Sequence, residues 1–133
     1  MDQADAVAVV ERWHAALNRR DLEQVVELSA PEIEILGPRG VARGRDVLRQ
    51  WLEHTRVSLE PLRWFARGGE VVVAEHGVWR SAETGDVDGE ADVASRFRVE
   101  DGRVAHYARY DTVEDALAAA GLADADEVQA RTS

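Results

Sequence analysis

The chain has 133 residues, enough for one domain that buries roughly two-thirds of its extended-chain surface. Sixteen basic against twenty-six acidic residues give a net charge of −10, which repels nucleic-acid phosphates and anionic membranes, so neither is expected as a partner. Cysteine is absent, which excludes disulfides, thiolate nucleophiles and cysteine metal ligands.

The opening MDQADAVAVVERW carries neither a basic leader nor an apolar signal core, and no apolar run approaches the roughly 20 residues of a bilayer span. A cytoplasmic setting is therefore expected. From Ala6 to about Asn18, Val9, Val10, Trp13, Ala16 and Leu17 return at three- and four-residue spacing, which predicts an amphipathic helix. Asp21 can cap a second helix with the stripe Leu22, Val25, Val26 and Leu28, which Pro31 ends through its effect on Ala30. Glu32–Leu36 alternates polar and apolar residues and reads as a first strand, and Gly37–Pro38–Arg39–Gly40 is turn chemistry. A third helix is expected from Arg45 to about His54, with Val47, Leu48, Trp51 and Leu52 on one side.

The rest is strand material. Val57–Ala66 and Glu70–Arg80 join through Gly68–Gly69, and Asp92–Glu100 and Arg103–Tyr110 through Asp101–Gly102, both short hairpin signals. Ser81–Glu90 reads as the loop between the hairpins. A last helix, from Thr112 or Val113 to Ala120, ends at Gly121, and residues 123–133 are polar and aperiodic, so a disordered tail is expected beyond a single domain over 1–122. This order gives an α+β domain: a mostly antiparallel sheet with helices on one face.

The segments RRDLEQVVELSAPEIEI, GVARGRDVLRQWL, SRFRVEDGRV and RYDTVEDALAAAGL resemble the SnoaL-like branch of the nuclear transport factor 2-like (NTF2-like) superfamily over about Val7 to Leu122. The resemblance implies a cone-shaped roll, in which a curved sheet surrounds a pocket closed by the N-terminal helices. It also implies a homodimer through the outer sheet face. Members include steroid isomerases, polyketide cyclases, dehydratases, epoxide hydrolases and noncatalytic proteins, so the fold alone leaves the activity open.

In the isomerase branch the oxyanion-holding tyrosine would fall at Trp13, the general base at Ile35 and the protonated aspartate at Ser95. Neither Trp13 nor Ile35 ionises near neutrality, so that mechanism is not expected unless Glu34 points inward. Strand parity puts Tyr107, Arg109 and Asp111 on one face of the last strand, and the family pattern turns that face to the pocket beside Ser95 and Phe97. Arg109 would then orient an oxygenated ligand and Asp111 would shuttle a proton, or the two would simply pair. Epoxide-hydrolysing relatives set an arginine between two aspartates, and Arg109 with Asp111 would supply part of that arrangement. Trp13 and Trp51 are the tryptophans expected in the pocket, where indoles clamp flat apolar molecules.

The histidines His14, His54, His76 and His106 are expected at the pocket rim or surface, at a helix end, within a strand and on the outer face. No metal motif or nucleotide fingerprint is present: Asp86, Asp88, Glu90 and Asp92 lack the ligand order of a calcium loop, and RGVARG lacks a phosphate loop's glycine spacing and lysine. No cofactor is expected. The leading expectation is a domain that binds a modest-sized apolar or aromatic, oxygenated small molecule. A cyclase-, dehydratase- or epoxide hydrolase-like enzyme using Asp111 and Arg109, and a noncatalytic dimeric structural or interaction domain, are the alternatives.

Overall fold

The computed structural model describes residues 3–37, 40–81 and 83–129. Helices α1 (Gln3–Asn18), α2 (Leu22–Glu27) and α3 (Arg45–His54) bracket a hairpin of β1 (Ser29–Gly37) and β2 (Gly40–Arg43). Strands β3 (Arg56–Arg67), β4 (Glu70–Arg80), β5 (Val87–Glu100) and β6 (Arg103–Tyr110) follow. The chain closes with α4 (Val113–Ala120), a 3₁₀ turn at Asp124–Asp126 and β7 (Glu127–Val128). The strands form one sheet in the order β2-β1-β6-β5-β4-β3-β7. Its pairs are antiparallel except β1 with β6, so the α+β reading and the two hairpins hold.

The predicted helices form where their caps and apolar stripes place them, except that α2 ends at Glu27, before Pro31 can act, because β1 already begins at Ser29 rather than Glu32. Asp21 accepts from the Gln24 amide at 3.2 Å and starts α2. At α4 the Thr112 hydroxyl accepts from the Asp115 amide at 3.1 Å, and Gly121, at φ 72°, closes the helix in the left-handed conformation with the Leu122 amide donating to the Leu117 carbonyl.

Four further differences from the sequence reading have physical causes. β2 was not anticipated, because four residues with both faces largely exposed carry no alternation; the turn expected at Gly37–Gly40 has its centre at Pro38 and Arg39, outside the described residues. β5 starts at Val87 rather than Asp92. Its first residues lie beyond the core and are solvated, so the alternating acids look like a loop while pairing Glu90 with Val78 and Gly89 with Trp79. β6 ends at Tyr110, so Asp111 leaves the sheet before strand parity can place it. Residues 123–129, expected in a disordered tail, form the 3₁₀ turn and β7 against the β3 edge, held by Arg63 donating twice to Glu127 at 2.9 and 3.0 Å. Residues 130–133 are outside the described part of the chain.

The sheet has two unlike faces. The inner face packs against α1, α2 and α3 in a core that includes Val10, Trp13, Leu17, Leu48, Leu52, Leu59, Val71, Val73, Phe97 and Tyr107. On the outer face α4 covers Phe65, Val72 and Ala94 with Ala116, Leu117 and Leu122. A bulge between Pro61 and Arg63 moves the inward set of β3 from Val57 and Leu59 to Trp64 and Ala66. Asn18 clamps the end of α1 to β3, accepting from the Leu59 amide at 2.9 Å and donating to the Leu59 carbonyl at 3.0 Å.

Candidate functional site

On the inner face, registry places side chains from four elements side by side. Val71, Val73, Glu75, Gly77 and Trp79 of β4 lie opposite Phe97, Ser95, Val93, Ala91 and Gly89 of β5, and Phe97 and Ser95 lie opposite Tyr107 and Arg109 of β6. The helix α1 lays Trp13 and His14 over this row. Ring centroids of Trp13, Phe97 and Tyr107 are 5.2 Å apart in each pairing, and His14 is 5.3 Å from Phe97 and 5.6 Å from Trp64. Trp51 of α3, half-buried, stands 5.7 Å from Tyr107.

Within this aromatic shell sits a polar chain. His14 Nδ1 lies 2.9 Å from the Val10 carbonyl, which can only accept, so Nδ1 carries a hydrogen. His14 Nε2 contacts Glu75 Oε2, and that contact needs one proton, on the imidazole or on the carboxyl. Either way the pair is neutral overall, with histidine and glutamate 2 % and 0 % exposed. Such neutrality is what makes burial of two ionisable groups tolerable. Ser95 Oγ lies 2.6 Å from Glu75 Oε1 and 3.3 Å from the Tyr107 phenolic oxygen. Its one proton goes to the carboxyl oxygen, so Tyr107 O–H donates to Ser95. Burial, with the Glu75 charge second, pushes the Tyr107 phenol far above its usual range, which keeps it a donor. The resulting sequence is Tyr107 to Ser95 to Glu75, then the shared proton, then His14 to Val10.

Exposure rises toward one end of the inner face. Val71, Val73 and Glu75 are buried while Trp79 is half-buried; Phe97 and Ser95 are buried while Ala91 is exposed; Tyr107 is buried while Arg109 is exposed. At this open end the Arg109 guanidinium lies 5.0 Å over the Trp79 ring.

Of the residues expected in the site, Trp13, Ser95, Phe97 and Tyr107 therefore come together, with Trp51 at their edge. Trp13 Nε1 donates to Ser29 Oγ at 3.2 Å and is thereby turned away from the polar chain. Arg109 shares their face at its exposed end. Asp111 does not join them. It is exposed in the turn to α4 and lines a cleft of about 320 Å³ on the α4 side of the sheet with Leu62, Arg63, Asp92 and Thr112, a cleft whose wall also includes Glu75 and Val93. Glu34 faces outward, accepting from Arg43 at 2.9 Å and Arg98 at 3.4 Å, and Ile35 takes the position beside Tyr107, so no carboxylate of β1 reaches the inner face.

The sequence reading missed Glu75 and misplaced His14. Both carried a signal. Glu75 shares parity with Val71 and Val73, and Val7, Val10, His14 and Leu17 repeat at helical spacing. Among the described residues no group of three histidine or acidic side chains could hold a metal, and no helix is long and apolar enough to cross a membrane.

Residues 10–107 match the family model of the SnoaL-like domain, which is nearly three-quarters of the chain. The chain belongs to the SnoaL-like family. No curated protein matches its sequence, whereas many solved structures share its fold. An NTF2-like protein from Burkholderia xenovorans LB400 is 28 % identical with a TM-score of 0.65, covering 90 % of this chain and 98 % of its own. A provisionally assigned polyketide cyclase from Xanthomonas campestris pv. campestris is 21 % identical with a TM-score of 0.67, covering 89 % and 98 %. TerC, co-crystallised with polyporic acid, is 17 % identical with a TM-score of 0.69, covering 84 % and 94 %. This SnoaL-like domain thus shares a container with proteins of several kinds, and its own chemistry has to be read from its own residues.

Proposed function

We propose that this SnoaL-like domain binds a modest-sized, flat, oxygenated molecule at the open end of the inner sheet face and exchanges a proton with it through Tyr107, Ser95, Glu75 and His14. The observation that carries the reading is the direct contact of a fully buried carboxyl with a buried imidazole, continued by two hydroxyls toward the face that Trp51, Trp79 and Arg109 border. Within such a pair the proton can sit on the carboxyl or the imidazole without changing the net charge, and the charge left when the chain takes a proton from the ligand is balanced by the opposite charge formed on the ligand.

The test is solvent-deuterium exchange at acidic C–H positions of aromatic or alkyl ketones that bind the protein, followed by NMR. The wild type is expected to accelerate exchange, and Glu75→Gln to lose about a hundredfold of that acceleration while still binding, the ordinary scale of one acid–base group. Unchanged exchange in Glu75→Gln would remove the polar chain from the reaction. Binding without accelerated exchange in the wild type favours a second reading, a noncatalytic carrier.

A homodimer through the part of the outer face that α4 leaves uncovered belongs to the same proposal. There Arg96 and Arg98 of β5 lie beside His106 of β6, whose two ring nitrogens are buried without a hydrogen-bond partner. Light scattering on a size-exclusion column should give twice the monomer mass; monomer mass at micromolar concentration contradicts it.

A further inference from the structure

Beside the polar chain lies a second arrangement that the proton chemistry does not use. Gly77, on the inner face of β4, is buried beneath the Trp79 indole: a Cβ at this position would stand 2.7 Å from Trp79 Cη2 and 3.0 Å from Cζ3. Glycine therefore lets the indole fold back along its own strand and lie against the backbone. The Arg109 guanidinium carbon lies over that ring, 5.0 Å from its centroid. The three form a layer from two strands: backbone, indole, guanidinium.

In a chain of net charge −10, most arginines near an acid pair with one, as Arg43, Arg49, Arg63, Arg96 and Arg98 do. Among the described residues no carboxylate comes within ion-pair distance of Arg109, and Asp111, two residues on, lines the cleft on the α4 side instead. Arg109 is directly opposite Ser95, and its positive charge acts on the Tyr107 phenol, so it stands next to the polar chain. Because the His14–Glu75 pair is neutral, an anion arriving at Arg109 meets no uncompensated carboxylate beneath it.

We infer that the ligand of this site is an organic anion, a flat apolar or aromatic acid whose carboxylate or enolate is held by the Arg109 guanidinium stacked on Trp79, with Gly77 as the positioning residue that allows the stack. The inference rests on the reading of the inner face as the ligand site and adds the ligand's charge to it. A planar guanidinium fork matches a carboxylate by two parallel N–H···O bonds, and an aromatic surface behind the fork fixes its plane before the ligand arrives. Lysine would offer the charge without that geometry.

The experiment compares 2-naphthoate with its neutral isostere 2-naphthamide, by calorimetry and by the indole N–H signals of Trp51 and Trp79, on wild type, Arg109→Gln and Gly77→Ala. Wild type should bind the acid about tenfold more tightly than the amide, the size of one charge-assisted hydrogen-bonded contact, and Arg109→Gln should erase that preference while the amide still binds. Gly77→Ala, which displaces Trp79, should reduce the preference as well, an effect that a purely structural glycine would not confine to the acid. Equal affinity for acid and amide in the wild type, or a preference that survives Arg109→Gln, overturns the anion inference and leaves the binding face standing. If neither compound moves the Trp51 and Trp79 signals at any accessible concentration, the binding face itself is refuted, and the anion inference with it.

Discussion

His76 and His106 show how differently one residue type behaves on the same sheet. His76 Nδ1 and Nε2 lie 2.9 and 3.0 Å from Asp92 and Glu90 on β5, and these hydrogen bonds raise its pKa above the ordinary 6.5. Burial, with Arg96 and Arg98 second, lowers that of His106, which Glu34 at 3.6 Å only partly offsets. The signs are opposite. A raised value means that His76 stabilises the fold below pH 6.5 and loses that contribution as pH climbs through its folded pKa. A lowered value means that His106 leaves the fold at full stability above pH 6.5 and weakens it as pH falls through its folded pKa. A two-dimensional NMR titration of the imidazole signals should find His76 titrating above 6.5 and His106 below it, and Asp92→Asn should bring His76 down. The reverse order would contradict the side-chain placement on both strands.

Elements were legible where one face meets the core and the other meets water. Helix α3 runs from Arg45 to His54 as its stripe of Leu48, Trp51 and Leu52 implies, and both hairpin turns fall where Gly68–Gly69 and Asp101–Gly102 stand. At Asp101 and Gly102, φ values of 53° and 78° are those that an Asp-Gly turn supplies. Legibility failed at the ends of the sheet. There β2 and the first turn of β5 are held by backbone pairing, with side chains in water on both faces, so composition carries no period. It failed in the site for a different reason. Ser95, Phe97 and Tyr107 could be placed by strand parity and Trp13 by helical spacing, and the same periods turn Glu75 and His14 inward, but their pairing with each other is not visible in either period. Their partnership spans 61 residues and depends on the sheet bringing β4 beneath α1.

At the scale of the whole molecule, the fold separates two kinds of surface. The inner face concentrates aromatic rings around one neutral acid–base chain, while the outer face carries α4 at one side and interleaved charges at the other, with Arg96 donating to Glu70 at 2.9 and 3.2 Å and Arg98 to Glu100 at 2.6 Å. A ligand site on the inner face and a pairing surface on the outer one can then coexist in a domain this small. One alternative seat for a ligand is the cleft that holds Asp111, whose wall includes Glu75. The measurement that separates them most directly is a ¹H–¹⁵N NMR titration of the uniformly labelled protein with a flat, oxygenated aromatic ligand. The expected result is movement of the Trp51 and Trp79 indole signals and the Tyr107 and Arg109 amides, together with a change in the His14 imidazole nitrogens. Movement confined to Leu62, Asp92, Asp111 and Thr112, with His14 unchanged, would contradict the assignment of function to the inner face.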